Sequence, residues 1–78
     1  MNYMYLYIYF TDEHIERHYI KRFSDLSQTT SRFYYYEEPN DEWGKGTCVR
    51  RDSIKCFEIS PWPLNNWETE MKKQCTTK

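Results

Sequence analysis

The sequence predicts an α+β fold: a small antiparallel β-sheet of four to five strands with a C-terminal α-helix packed on one face. Three observations carry this. Residues 3–10 read Tyr-Met-Tyr-Leu-Tyr-Ile-Tyr-Phe, and strict alternation is the period of a strand, whose successive side chains go to opposite faces. Two later stretches, Phe33-Tyr34-Tyr35-Tyr36 and Ile54–Ile59, are rich in strand formers, and the chain's two glycines, Gly44 and Gly46, fall between them. Leu64, Trp67, Met71 and Cys75 then recur at spacings of three and four, which makes one apolar stripe on a helix. At 78 residues the chain, 1–78, is a single domain with a modest core.

The elements follow in order. Asn2–Phe10 is the first strand. Thr11–Leu26 fits two templates. As a helix it has Thr11 as N-cap and a stripe of Ile15, Tyr19, Phe23 and Leu26. As a strand over His14–Phe23 it pairs with the first strand through a tight turn at Asp12-Glu13. Periodicity does not separate the two. The absence of alanine and the middling helix propensity of Ile, Tyr, Phe and His tilt the reading to a strand. Ser31–Glu38 is the next strand, and the Asn40–Gly46 loop leads to another over Thr47–Arg51. Asp52-Ser53 reads as a brief turn. Ile54–Ile59 is the last strand; its alternation puts Ile54 and Cys56 on one face and the core residues Phe57 and Ile59 on the other. Pro61-Trp62-Pro63 closes the strand region. Asn65 followed by Glu68 is an N-cap-like helix start. Glu68 and Lys72 form a favourably oriented i,i+4 pair.

The formal net charge of −1 disfavours both a simple polyanion binder and an acidic nucleic-acid mimic. Three cysteines, Cys48, Cys56 and Cys75, are an odd count at irregular spacing and do not read as a disulfide framework. The N-terminus lacks a basic leader and a small-residue cleavage site, and Tyr3–Phe10 is too short to span a bilayer as a helix. These points lead to an expectation of a cytoplasmic protein with free thiols, not associated with a membrane. A Cys48–Cys56 bridge would require the two residues to lie on paired strands.

No set of side chains carries a catalytic signature, and no cofactor is expected. His14 and His18 share a face at a spacing of four, but no C-x-x-C or H-E-x-x-H accompanies them, and they read as polar residues on the solvent side rather than as metal ligands. Cys48 and Cys56 read as small half-buried thiols, since a nucleophile would need a base and a depressed pKa. The acidic stretch Glu37, Glu38, Asp41 and Glu42 flanks Pro39-Asn40. It is either a solvated turn or an acidic lip for a basic groove on a partner; Trp43 at its end favours the lip, because Trp and Tyr are enriched at contact hot spots.

The tyrosine ladder is the most distinctive feature. Tyr3, Tyr5, Tyr7 and Tyr9 share one face of the first strand, and Met4, Leu6, Ile8 and Phe10 share the other. The aliphatic face is assigned to the helix, and the tyrosine face, suited to wet and adaptable contact, is assigned outward. Such a row would be a large exposed aromatic patch, the mark of an interaction site. The expected contact residues are therefore Tyr3, Tyr5, Tyr7, Tyr9, Tyr34, Tyr36, Glu37, Glu38, Asp41, Glu42 and Trp43.

The reading is a non-enzymatic protein-interaction module that inhibits a larger partner protein by blocking it, with a homodimer through the same face as a sub-case. The alternative is a single-stranded nucleic-acid binder. It would stack bases on the aromatic face and use Lys21, Arg22, Arg50, Arg51 and Lys55 for phosphates. In size and composition the chain is similar to small inhibitor proteins encoded by bacteriophages, including anti-CRISPR and other anti-defence proteins. That similarity implies action on a larger host complex in the host cytoplasm.

Overall fold

The computed structural model describes residues 3–25, 32–42 and 45–76; Leu26, Trp43 and Gly44, which figure in the sequence reading, lie outside them. Strand β1 spans Met4–Phe10, β2 Ile15–Ile20, β3 Arg22–Asp25, β4 Phe33–Glu37, β5 Thr47–Arg50 and β6 Ile54–Ser60, and helix α1 spans Trp67–Thr76. The fold is α+β, as expected. The strands described here are six and lie in two three-stranded antiparallel sheets, ordered β2-β1-β6 and β3-β4-β5, rather than in one sheet of four or five.

The segment after Phe10 is a hairpin strand. Phe10 and Glu13 close its turn, with the Phe10 N–H donating to the His14 carbonyl at 2.9 Å and the Glu13 N–H to the Phe10 carbonyl at 3.0 Å. Glu13 takes a positive φ of 80°, the left-handed position that short hairpin loops use. Its side chain is held there by the Lys55 ammonium and by the Tyr9 hydroxyl.

The two sheets share their chain. β2 passes into β3 through the single residue Lys21, and β5 passes into β6 through a 3-10 turn at Arg51–Ser53. Pairing can be followed from β1 to β2, along the bend to β3, across β4 to β5, and through β6 back to β1. Strands that switch sheets at bends make the corners of such closed packings. The space inside is the main core: Leu6, Ile8, Ile20 and Tyr36 are buried there, with Phe23, Val49 and Phe57 against them.

The bend at Lys21 and a bulge in β6 each reverse the inward-facing parity. Ile20 points in on one side of Lys21 and Phe23 on the other, so Ile15, Tyr19 and Phe23 do not share a face. In β6 the register slips between Tyr9 and Phe10, which pair with Cys56 and Ile54. Ile54 therefore joins Phe57 and Ile59 in the core, while Cys56 faces the helix. The alternation of Ile54 with Cys56 read from the sequence breaks at this bulge, where one extra residue flips the faces.

The faces of β1 are also assigned differently from the sequence expectation. Its aliphatic face is covered by the second sheet, and α1 lies on the tyrosine face. Met71 is buried against Tyr7 and Tyr9, with Leu64, Trp67 and Cys75 beside it, so the apolar stripe is the one read from the sequence. The reason is demand for burial: β3, β4 and β5 need an apolar partner for Phe23, Tyr34 and Val49, and the aliphatic face is the one without hydroxyls to satisfy. The helix starts at Trp67, after Asn66 at φ 54°, rather than from Asn65. Cys75 is disulfide-bonded to Cys56, with Cα atoms 6.1 Å apart, and Cys48 is a free, exposed thiol. Two of the three cysteines expected to be free are thus joined, because the helix lays residue 75 over residue 56.

Candidate interaction surface

The tyrosine row of β1 divides into a covered half and an open half. Tyr7 is 0% exposed and Tyr9 3%, both beneath α1. Burying a phenol requires a partner for its oxygen. The Tyr7 hydroxyl accepts the Leu64 N–H at 2.8 Å, and the Tyr9 hydroxyl donates to Glu13 Oε1 at 3.3 Å. The Tyr7 and Trp67 rings lie 5.7 Å apart. These two tyrosines are structural, which corrects the expectation that the whole row faces outward.

The open half forms a corner at the other end of β1. Tyr3 and Tyr5 are half-buried, and both rings pack on Tyr19 of β2, at centroid distances of 5.3 and 5.0 Å. The register makes this cluster, since Tyr5 pairs with Tyr19 across the β1–β2 ladder. Tyr19 itself is 43% exposed. The β1–β6 ladder reaches this end at Tyr5 opposite Ser60, and Trp62, two residues beyond, is 65% exposed. The Ser60 hydroxyl donates to the Trp62 carbonyl at 2.6 Å, which fixes the backbone there. Arg17, on the same face of β2, lies over the Trp67 ring at 5.6 Å, within cation–π range. Tyr19 and Trp62 were not among the expected contact residues. Pairing Tyr5 with Tyr19 needs only the hairpin register, so that signal was present in the sequence.

Tyr34 and Tyr36 do not join this surface. Both point between the sheets: Tyr34 packs 4.8 Å from Phe57, and Tyr36 is buried with its ring 4.8 Å from His18. The expected acidic lip is also divided. Glu37 is buried; its Oε2 accepts the Tyr35 hydroxyl at 2.6 Å, and Lys21 Nζ and Arg22 Nε lie 4.0 and 3.9 Å away. Its Oε1 has no hydrogen-bond partner. Glu38 and Asp41 are tied in a turn, with the Glu38 N–H donating to Asp41 Oδ2 at 2.9 Å and the Asp41 N–H to the Glu38 carbonyl at 3.0 Å. Glu42 is exposed and pairs with Lys45 at 3.2 Å. Trp43 is outside the described residues.

A second polar feature runs along β2. Asp12 and His14 of the turn and Glu16 and His18 of β2 are spaced by two and are linked in a row. Imidazole and carboxylate follow each other: His14 bonds Asp12 and, at 2.9 Å, Glu16, and Glu16 meets His18 at 2.8 Å. His18 lies 3.6 Å from Glu38 of the second sheet. The bonds to Glu16 and Asp12 raise the His14 pKa above its ordinary value. The His14 backbone and side-chain bonds lower Asp12. Burial pushes the Glu16 carboxyl up, and its bonds to His18 and His14 outweigh that, so its net shift is down. Among the described residues no three His, Cys, Asp or Glu side chains are grouped as a metal would require. Among those residues, too, no helix is long and apolar enough to cross a membrane. No protein-family model, curated protein or solved structure matches the chain.

Proposed function

We propose that the protein is a non-enzymatic binding module that occupies a surface of a larger protein, through the corner formed by Tyr3, Tyr5 and Tyr19 with Trp62 beside it. It acts by blocking, the mode of the small phage inhibitors whose size and composition it shares, and its place of action is the host cytoplasm. The observation that carries this reading is the tyrosine cluster at ring spacings of 5.0 and 5.3 Å, in which Tyr3 and Tyr5 are half-buried and Tyr19 is exposed. Pre-packed aromatic rings offer contact area at low entropic cost, which is why Tyr and Trp dominate binding hot spots. Glu38 and Glu42 supply an acidic contribution nearer β4.

The nucleic-acid alternative has less support. Four of the five cations it would use are already matched: Lys21 and Arg22 face Glu37, Arg50 lies 3.8 Å from Asp52, and Lys55 is bonded to Glu13. Stacking would also need Tyr34 and Tyr36, which serve the interior.

The test is capture from host lysate on the immobilised chain, compared with the Tyr3→Ala, Tyr19→Ala double variant. The wild type retains a defined protein, and the variant loses it while its circular-dichroism melt is unchanged. Undiminished capture by the variant removes the corner from the account. Retention of mixed single strands on a filter, falling steeply between roughly 50 and 200 mM salt, would favour the alternative.

A further inference from the structure

We propose that the Cys56–Cys75 disulfide is a reducible latch on α1: it holds the C-terminal half of the helix over Tyr9, and its reduction releases that half while the two sheets stay folded. The inference is independent of any partner.

The argument begins with the helix. Its ten residues are fewer than an isolated helix needs to persist in water, so α1 depends on its docking. That docking has two ends of different kind. At the N-terminal end the Leu64 N–H donates to Tyr7, Trp67 packs on the Tyr7 ring, and Arg17 lies over Trp67. None of these contacts involves sulfur. Past Met71 the apolar stripe has one further member, Cys75, which meets the sheet at Cys56, and Lys72 adds an electrostatic attraction to Glu13 of the hairpin that the bridge does not depend on.

Cys56 stands directly opposite Tyr9 in the β1–β6 ladder, and both cysteines pack against the cluster of Tyr7, Tyr9 and Met71. From the helix side Met71 also packs on Tyr9, while the contacts of Tyr9 to Glu13 and to the Lys55 ammonium, 4.8 Å over its ring, come from the sheet and its hairpin. They persist when the helix end lifts, and Tyr9 then loses its cover without losing its strand. Both cysteines are half-buried, which leaves the bridge within reach of an attacking thiolate. The interior cluster of Leu6, Ile8, Ile20 and Tyr36 contains neither sulfur, so the sheets do not depend on the bridge in the way the helix end does.

The reductant is a dithiol of the dithiothreitol or thioredoxin type. Its thiolate attacks one sulfur of the pair, the S–S bond breaks, and the second reductant thiol resolves the mixed disulfide. Two electrons and two protons pass to Cys56 and Cys75, which become thiols, and the reductant leaves as its own disulfide. In a reducing compartment the latch is open, and in an oxidising one it is closed.

The test is hydrogen–deuterium exchange of the full chain before and after dithiothreitol, with thiols counted by alkylation mass. The oxidised protein carries one thiol, at Cys48, and the reduced protein three. On reduction the amides of residues 71–76 exchange about tenfold faster or more, while those of Leu6, Ile8 and Ile20 change by less than about twofold. Tyr9 becomes open to nitration by tetranitromethane. Cys75→Ser reproduces the released pattern without reductant. Three thiols in the oxidised protein overturn the proposal, as does unchanged helix exchange after full reduction. Loss of protection in β1 and β2 together with α1 also overturns it, since the bridge would then hold the whole fold.

Discussion

Glu37 is an acid in the interior of a small protein, and its immediate neighbours explain how it is tolerated. The Tyr35 hydroxyl donates to one carboxylate oxygen at 2.6 Å and accepts the Gly46 N–H at 3.1 Å. The Glu37 carboxylate in turn raises the Tyr35 pKa, so the phenol keeps its proton. Tyr35→Phe removes both bonds and is expected to cost about 1.5–3 kcal/mol, the range for a hydrogen bond to a charged group. A shift in the urea midpoint at constant slope checks this. His14 makes a pH prediction. Its pKa is raised, so the stability it contributes is full below the ordinary value of 6.5 and is lost as pH rises through its higher folded value. Asp12 and Glu16 are lowered from 3.8 and 4.5, so their contributions are full above those values and are lost as pH falls through the lower folded ones. Melts recorded across the pH range should show a plateau between about 4.5 and 6.5 and a decline above it. His14→Gln should abolish the decline; a decline that survives the substitution would place its origin elsewhere.

At the scale of elements, the first strand, the later strands and the helix stripe were legible because each is a local pattern, whereas the hairpin strand fitted two templates and only propensity tilted it from helix to strand. β1 alternates without interruption, and Leu64, Trp67, Met71 and Cys75 keep helical spacing to the end. The faces were less legible. A one-residue bend at Lys21 and a slip in register near Lys55 each reverse parity, and neither leaves a glycine or proline as a marker. The cover on the tyrosine face was not legible either, because it depends on which of two faces a second sheet claims. The disulfide follows from that same choice, since residue 75 reaches residue 56 only when α1 lies on the tyrosine side. The open corner was half legible: alternation names Tyr3 and Tyr5, whereas Tyr19 falls in a segment that fits two templates, so its place opposite Tyr5 follows only from the strand template. One glycine has an element-level consequence. A Cβ at Gly46 would meet the Tyr36 carbonyl oxygen at 2.2 Å and the Tyr35 ring at 2.8 Å. Gly46→Ala must displace the entry to β5 and is expected to cost about 1–3 kcal/mol, as overpacking does. A thermal midpoint unchanged from wild type would mean the strand entry can shift freely.

The whole molecule joins two small cores through one strand. The even residues of β1 fill the space between the sheets, and its odd residues from Tyr7 to Tyr9 anchor α1, so β1 is buried on both faces over that stretch. A chain of this size has a total stability of only some 5–10 kcal/mol, so each core matters. With structural duties concentrated on Tyr7 and Tyr9, the aromatic side chains left for contact among the described residues are those at the corner and Phe33 at the start of β4. The division of the tyrosine row is therefore the claim on which both the fold and the function depend. It is tested most directly by thermal unfolding of Tyr7→Ala beside Tyr19→Ala. The account predicts that Tyr7→Ala loses about 3–5 kcal/mol, as large-to-small changes of buried aromatic residues do, and unfolds near ambient temperature, while Tyr19→Ala melts within a few degrees of wild type. Equal melts, or a collapse of Tyr19→Ala with Tyr7→Ala intact, would contradict it.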